Sequence, residues 1–165
     1  MSGSDAVLSL AGNALEIGMS NAQLLFPLGR TSGAIQTQFF PFEHLGVSMM
    51  PNLRPLWAYA TQPRGVEVEG PVSIRIAMPK LRGSYDYIPP GTERVVLLGY
   101  SPGRKVLAPI GVGRIENYSV FSEGSVALEN LDYIAYVMVP QQHQPLLAAV
   151  AAGSKSLNQL IAELQ

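Results

Sequence analysis

Val72-Ser73-Ile74-Arg75-Ile76-Ala77-Met78 is the stretch on which the fold turns. In an extended backbone Val72, Ile74, Ile76 and Met78 share one face, and Ser73, Arg75 and Ala77 share the other. Successive side chains of a strand point to opposite sides of the sheet, so this alternation predicts a half-buried strand. Pro71 and Pro79 bracket it, at strand ends where a missing N–H removes least from a ladder. Next along the chain, Arg94-Val95-Val96-Leu97-Leu98-Gly99-Tyr100 is apolar on both faces and predicts a central strand covered on both sides. Ser101-Pro102-Gly103-Arg104 supplies turn chemistry after it. Lys105–Ala108 and Gly111–Ile115 then read as its partner strand, interrupted near Pro109.

The same punctuation runs through most of the chain. Sixteen Gly and 13 Pro cut it into apolar runs of about 4–8 residues, the length of strands. Ala6–Leu10, Gln23–Phe26, Ile35–Phe39, Leu56–Tyr59, Val126–Leu128 and Tyr133–Val139 are further candidates, for about nine short strands in all. No strand–long helix–strand rhythm precedes residue 140, so the expected fold is all-β, an antiparallel β-sandwich. The period then changes. Pro145–Ala152 is helix-forming and stops at Gly153, a residue suited to the left-handed position after a helix. Ser156-Leu157-Asn158-Gln159 has the form of a capping box. Leu157, Leu160, Ile161 and Leu164 follow at helical spacing. This stripe is the expected contact face of a short C-terminal helical tail, packed on its own sheet or docked on a neighbour. The expected organisation is a leader at residues 1–4, a β-sandwich domain at 5–140, and a helical tail or linker to a following domain at 141–165.

Composition narrows the function classes. Hydrophobic residues make up 47% of 165 and charged residues 14%, which argues for a packed core and against disorder. Eleven basic and 12 acidic side chains stand singly, with a formal charge of −1, so nucleic acid is not an expected partner. Cysteine is absent, which excludes disulfides, thiolate nucleophiles and zinc–thiolate sites. The first residues lack the basic and apolar regions of a signal peptide. No apolar run reaches the ~18 residues of a membrane helix, so no membrane insertion is expected.

With the strands placed, residues 5–139 resemble the ZU5-like, Ig-like β-sandwich modules of large bacterial surface proteins. The carriers are Leu10-Ala11-Gly12-Asn13-Ala14-Leu15, Gly65–Ile74 with its Pro71-Val72 entry into a core strand, and Leu97–Gly103 through Pro109–Gly113. Ala108 stands where the family often has an aromatic, and Phe39–Arg54 is longer than the family's pattern. The resemblance implies a spacer, adhesion or assembly module within an exported or cell-surface protein whose signal lies outside this chain. Some animal domains of this type cut their own chain between Phe and Ser, and Phe121-Ser122 invites the comparison. Here Val120, not His, precedes the pair, and a serine nucleophile needs a positioned base.

Other chemistry has simpler readings. His44 and His143 are the only histidines, and neither has the spacing of a catalytic triad or a metal pair. No Gly-x-Ser-x-Gly elbow is present. Gly111-Val112-Gly113 lacks the third glycine and following helix of a dinucleotide loop. Glu67 and Glu69 share a strand face, and Asp86 lies in a turn-rich loop. Calcium binding or glycosidase chemistry would use such carboxylates, but a solvated edge strand accounts for the glutamates. Aromatics carry more weight. Phe39, Phe40, Phe42, Trp57 and Tyr59, with Tyr85 and Tyr87, cluster in sequence, and Trp and Tyr are favoured interface anchors. The expectation is a non-enzyme without cofactor or metal, a structural or interaction module with a protein partner or self-association. A carbohydrate-binding module using the aromatic patch, and a self-cleaving domain at Phe121-Ser122, are the alternatives.

Overall fold

The computed structural model describes residues 7–12, 14–26, 35–44, 46–50, 52–53, 55–78, 80–81, 84–85 and 88–164. Strands β1 (Val7–Leu10), β2 (Leu15–Gly18), β3 (Gln23–Leu25) and β4 (Gln36–Pro41) open the chain. They are followed by β5 (Ser48–Met49), β6 (Trp57–Gln62), β7 (Glu67–Glu69), β8 (Ser73–Ala77), β9 (Lys80–Leu81) and β10 (Ser84–Tyr85). Then come β11 (Arg94–Ser101), β12 (Val106–Glu116), β13 (Ser119–Ser122) and β14 (Tyr133–Met138). Helices α1 (Gln144–Ala151) and α2 (Leu157–Leu164) close it.

Ten strands form one continuous sheet in the order β1-β2-β8-β13-β12-β11-β14-β6-β4, with β5 beside β12. Every pairing on that path is antiparallel, and β5 alone runs parallel to its partner. β3 and β7 make a separate two-stranded ribbon, and β9 and β10 another. Leu10, Leu15 and Ile17 from one end of the sheet share a core with Ile134 and Tyr59 near the other end. That contact requires the sheet to coil on itself, as right-handed twist favours. The architecture is therefore mostly antiparallel β and curls toward a barrel, a correction to the expectation of two distinct facing sheets.

Two details make the coil physically reasonable. β12 pairs Gly111 with Leu97 but Pro109 with Leu98, so Ile110 is an extra residue on its strand. Such a bulge bends the strand and tightens its twist. A Cβ on Gly113 would lie 2.6 Å from the Val120 side chain, so only glycine lets β12 and β13 approach this closely. The predicted interruption near Pro109 is thus this bulge inside one eleven-residue strand. Val126–Leu128, expected as a strand, contributes only a bridge from Val126 to Val72.

The sheet has a core on each face. The β8 stretch buries Val72, Ile74, Ile76 and Met78 in the first core, the face its alternation predicts. β11 feeds both, with Val95 and Leu97 in the first core and Val96 and Leu98 in the second. The second core also takes Phe42 and Leu53 from the connection before β6, Leu147 from α1, and Leu160 and Leu164 from α2. The helices therefore lie on the chain's own sheet, with Leu147 and Leu160 fully buried.

Local chemistry holds them there. Ser154 N–H donates to Ala149 O and Gly153 N–H to Val150 O, with Gly153 at φ 81°, which is a Schellman ending. Ser156 Oγ accepts from Gln159 N–H at 3.1 Å while Gln159 Oε1 accepts from Ser156 N–H at 2.7 Å, the reciprocal capping box of the sequence. Gln144 fastens the start of α1 to β11. Its Oε1 accepts from Arg94 N–H at 3.0 Å and its Nε2 donates to Arg94 O at 3.0 Å. Asn52 Nδ2 donates to Leu164 O at 2.7 Å and closes the end of α2.

Candidate functional site

The aromatic stretch of the sequence folds into the antiparallel pair β4–β6. Its register sets Phe39 opposite Tyr59, Pro41 opposite Trp57, and Thr37 opposite Thr61. Period two then puts Thr37 and Phe39 on one face and Gln36, Gln38 and Phe40 on the other. On the first face, the Phe39 ring lies 5.5 Å from that of Trp57 and 5.9 Å from that of Tyr59. Thr37 and Thr61 join hydroxyls at 2.8 Å beneath them. Phe39 remains 38% exposed, and Trp57 and Phe40 are half-buried.

The expected patch is smaller than the run of aromatics in the sequence. Tyr59 is buried in the first core, and burial raises its hydroxyl above the ordinary value of 10.0, with the charge of Arg75 pulling partly the other way. It is a protonated core phenol, not a base. Phe42 is buried in the second core, because its N–H donates to Leu56 O at 3.0 Å as the chain enters a 3-10 turn at Phe42–His44. Tyr87 and the side chain of Tyr85 lie outside the described residues, as do Asp86 and the His44 side chain.

The opposite face of the same strands carries a groove of about 330 Å³. Gln36, Gln38 and Phe40 wall it from β4, and Ala60 and Gln62 from β6. Arg64 and Tyr133 complete it. Gln38 pairs with Ala60, and Ala60 pairs in turn with Tyr133, so the single methyl of Ala60 forms a low floor between two larger side chains. Arg64 is held in place from two directions. Its guanidinium carbon sits 4.2 Å from the Tyr133 ring centre, and its Nη1 donates to Asp132 O at 2.8 Å. Asp132 Oδ1 accepts from Gly65 N–H at 2.8 Å, which ties the loop after β6 to the start of β14. Tyr133 stacks edge-on with Tyr100 at 5.5 Å. Among the described residues no carboxylate lines the groove and Arg64 makes no ion pair.

Gln36-x-Gln38-x-Phe40 shows its polar–aromatic face by alternation alone. Gln62, Arg64 and Tyr133 carry no sequence signal for the site, because only the β4-β6-β14 order brings them together.

The remaining sequence candidates are placed as follows. Ser122 lies within β13, where its Oγ accepts from Ile74 N–H at 2.9 Å, and Phe121 pairs with Arg114 and Arg75. Glu67 and Glu69 both face outward from β7 on either side of buried Val68, and Glu69 accepts from Gln23 at 3.1 Å. His143 ends a 3-10 turn with its ring 3.4 Å from the Gln142 amide. Leu157 and Ile161 rim a second, smaller groove of about 230 Å³ between α2 and the β11–β12 hairpin, which also takes in Arg104 and Glu129. Among the described residues no group of three His, Asp or Glu side chains could hold a metal ion, and no helix is long and apolar enough to cross a membrane. In comparison with known proteins the chain matches no family model, no curated protein and no solved structure.

Proposed function

We propose that this chain is a non-catalytic interaction module, a mostly antiparallel β domain that presents its β4–β6 end to a partner. The observation that carries the reading is the pairing of an exposed ring edge, Phe39 with Trp57, with a groove across the strands whose one cation is held without an acidic partner among the described residues. A group fixed in advance loses little freedom on binding, which is how a surface gains affinity. The same proposal includes the spacer, adhesion or assembly role, and the exported setting, that the ZU5-like resemblance implies.

Chemical-shift mapping with a panel of neutral and acidic oligosaccharides and acidic peptides tests the contact surface. Backbone amides of β4, β6 and residues 64–65 and 132–133 should move together. A panel that leaves all of them still removes this end of the sheet as the binding surface. Prolonged incubation followed by intact-mass measurement tests the non-catalytic part. One species of 17.7 kDa is expected, and two fragments meeting at Phe121-Ser122 would replace the module with a self-cleaving domain.

A further inference from the structure

We propose that the β4-β6-β14 groove binds a carboxylate-bearing saccharide of the uronic acid type; this rests on reading that face as the contact surface. Five observations converge on this ligand. The groove crosses three adjacent strands, a span of about 10 Å at the usual strand spacing. A ligand lying across the strands meets side chains, whereas an extended peptide would add along the outer edge of β4, outside the groove. Its volume of about 330 Å³ is at the small end of the ~300–1,000 Å³ range of small-molecule sites.

The lining then selects within small ligands. Gln36, Gln38 and Gln62 each present a donor and an acceptor side by side. That pairing suits the vicinal hydroxyls of a sugar, where each oxygen both gives and takes a hydrogen bond. Phe40 offers an apolar ring to the C–H face of a pyranose. Arg64 supplies the charge preference. Its stacking on Tyr133 and its bond to Asp132 O orient the guanidinium, and its remaining N–H donors fit a carboxylate. With no carboxylate among the described residues of the lining, a neutral sugar would leave that cation without a counter-charge.

The probe is tetragalacturonate, with its fully methyl-esterified form as the matched neutral sugar and a Glu-Gly repeat peptide as the acidic control. Calorimetry on the full chain at low salt should show tetragalacturonate binding and the ester binding about ten-fold more weakly. Arg64→Ala should produce a similar loss and Arg64→Lys a smaller one, because lysine keeps the charge but not the planar fork. Gln38→Ala, on the opposite wall and away from the Tyr133 stack, should weaken both sugars equally. Circular dichroism melts separate misfolding of Arg64→Ala from loss of the site. Equal affinity for acid and ester, or undiminished binding by folded Arg64→Ala, overturns the assignment. Should the peptide shift the groove amides while both sugars leave them unmoved, the saccharide is wrong and the contact surface stands. If no probe moves them, both fall.

Discussion

One face of the sheet carries two regions of opposite character. Under the helices, Val96, Leu98, Ala135 and Val137 share an apolar core with Leu147, Leu160 and Leu164. Farther along the same face, Gln38, Ala60 and Tyr133 follow one another across the strands and line an open groove. β14 passes through both, with Tyr133 in the groove and Ala135 and Val137 beneath the helices. Where a second layer covers the sheet, side chains are apolar because unpaired polar groups there would be destabilising. Where the cover ends, folding makes no such demand. Three amides, two rings and a braced arginine in that place are free to serve recognition.

The contrast predicts a wide separation in the consequences of mutation. Leu160→Ala empties a fully buried site under the helices, and should lower unfolding free energy by about 2–5 kcal/mol in urea titration. A loss below about 1 kcal/mol would show the helical layer to be loosely packed. Gln144→Ala comes next. It leaves the N–H and C=O of Arg94 without the amide that spans them, at about 1–3 kcal/mol, and hydrogen exchange at Arg94 should quicken. Wild-type exchange there would mean that water replaces the amide without penalty.

On the first core, Tyr59 contributes an effect confined to alkaline solution. Its hydroxyl is held above 10.0 in the fold, so the native state keeps a proton that the unfolded chain releases. The stability it contributes is complete below that pH and is lost as pH rises through the folded value. Tyr59→Phe should therefore show a shallower fall in melting temperature than the wild type as pH rises past about 10. Parallel slopes would place the sensitivity elsewhere. The smallest change belongs to the groove: Gln38→Ala should alter stability by no more than about 0.5 kcal/mol. A larger loss would make the groove part of the fold's support and erase the distinction between the two regions.

Much of the local structure was legible from the chain itself. The alternation at Val72–Met78 named its buried face, and the two-sided apolarity of Arg94–Tyr100 placed β11 between two cores. Gly153 and the Ser156–Gln159 pair marked a helix end and a helix start at the right residues. The site was legible only in part. Phe39 and Phe40 were bound to face opposite ways, but nothing local says which face a second layer will cover. Phe42 read as one more surface aromatic until the turn after β4 carried it into the second core.

The sequence by itself determined elements whose causes lie within a few residues: strand alternation, turn chemistry and helix caps. The tertiary structure alone decided the curl of one ten-stranded sheet, the layer that α1 and α2 make on it, and the meeting of Gln38, Arg64 and Tyr133. Those three are far apart in the chain. Their proximity follows from which strands pair, and pairing is selected by the burial of two whole faces at once rather than by any short stretch.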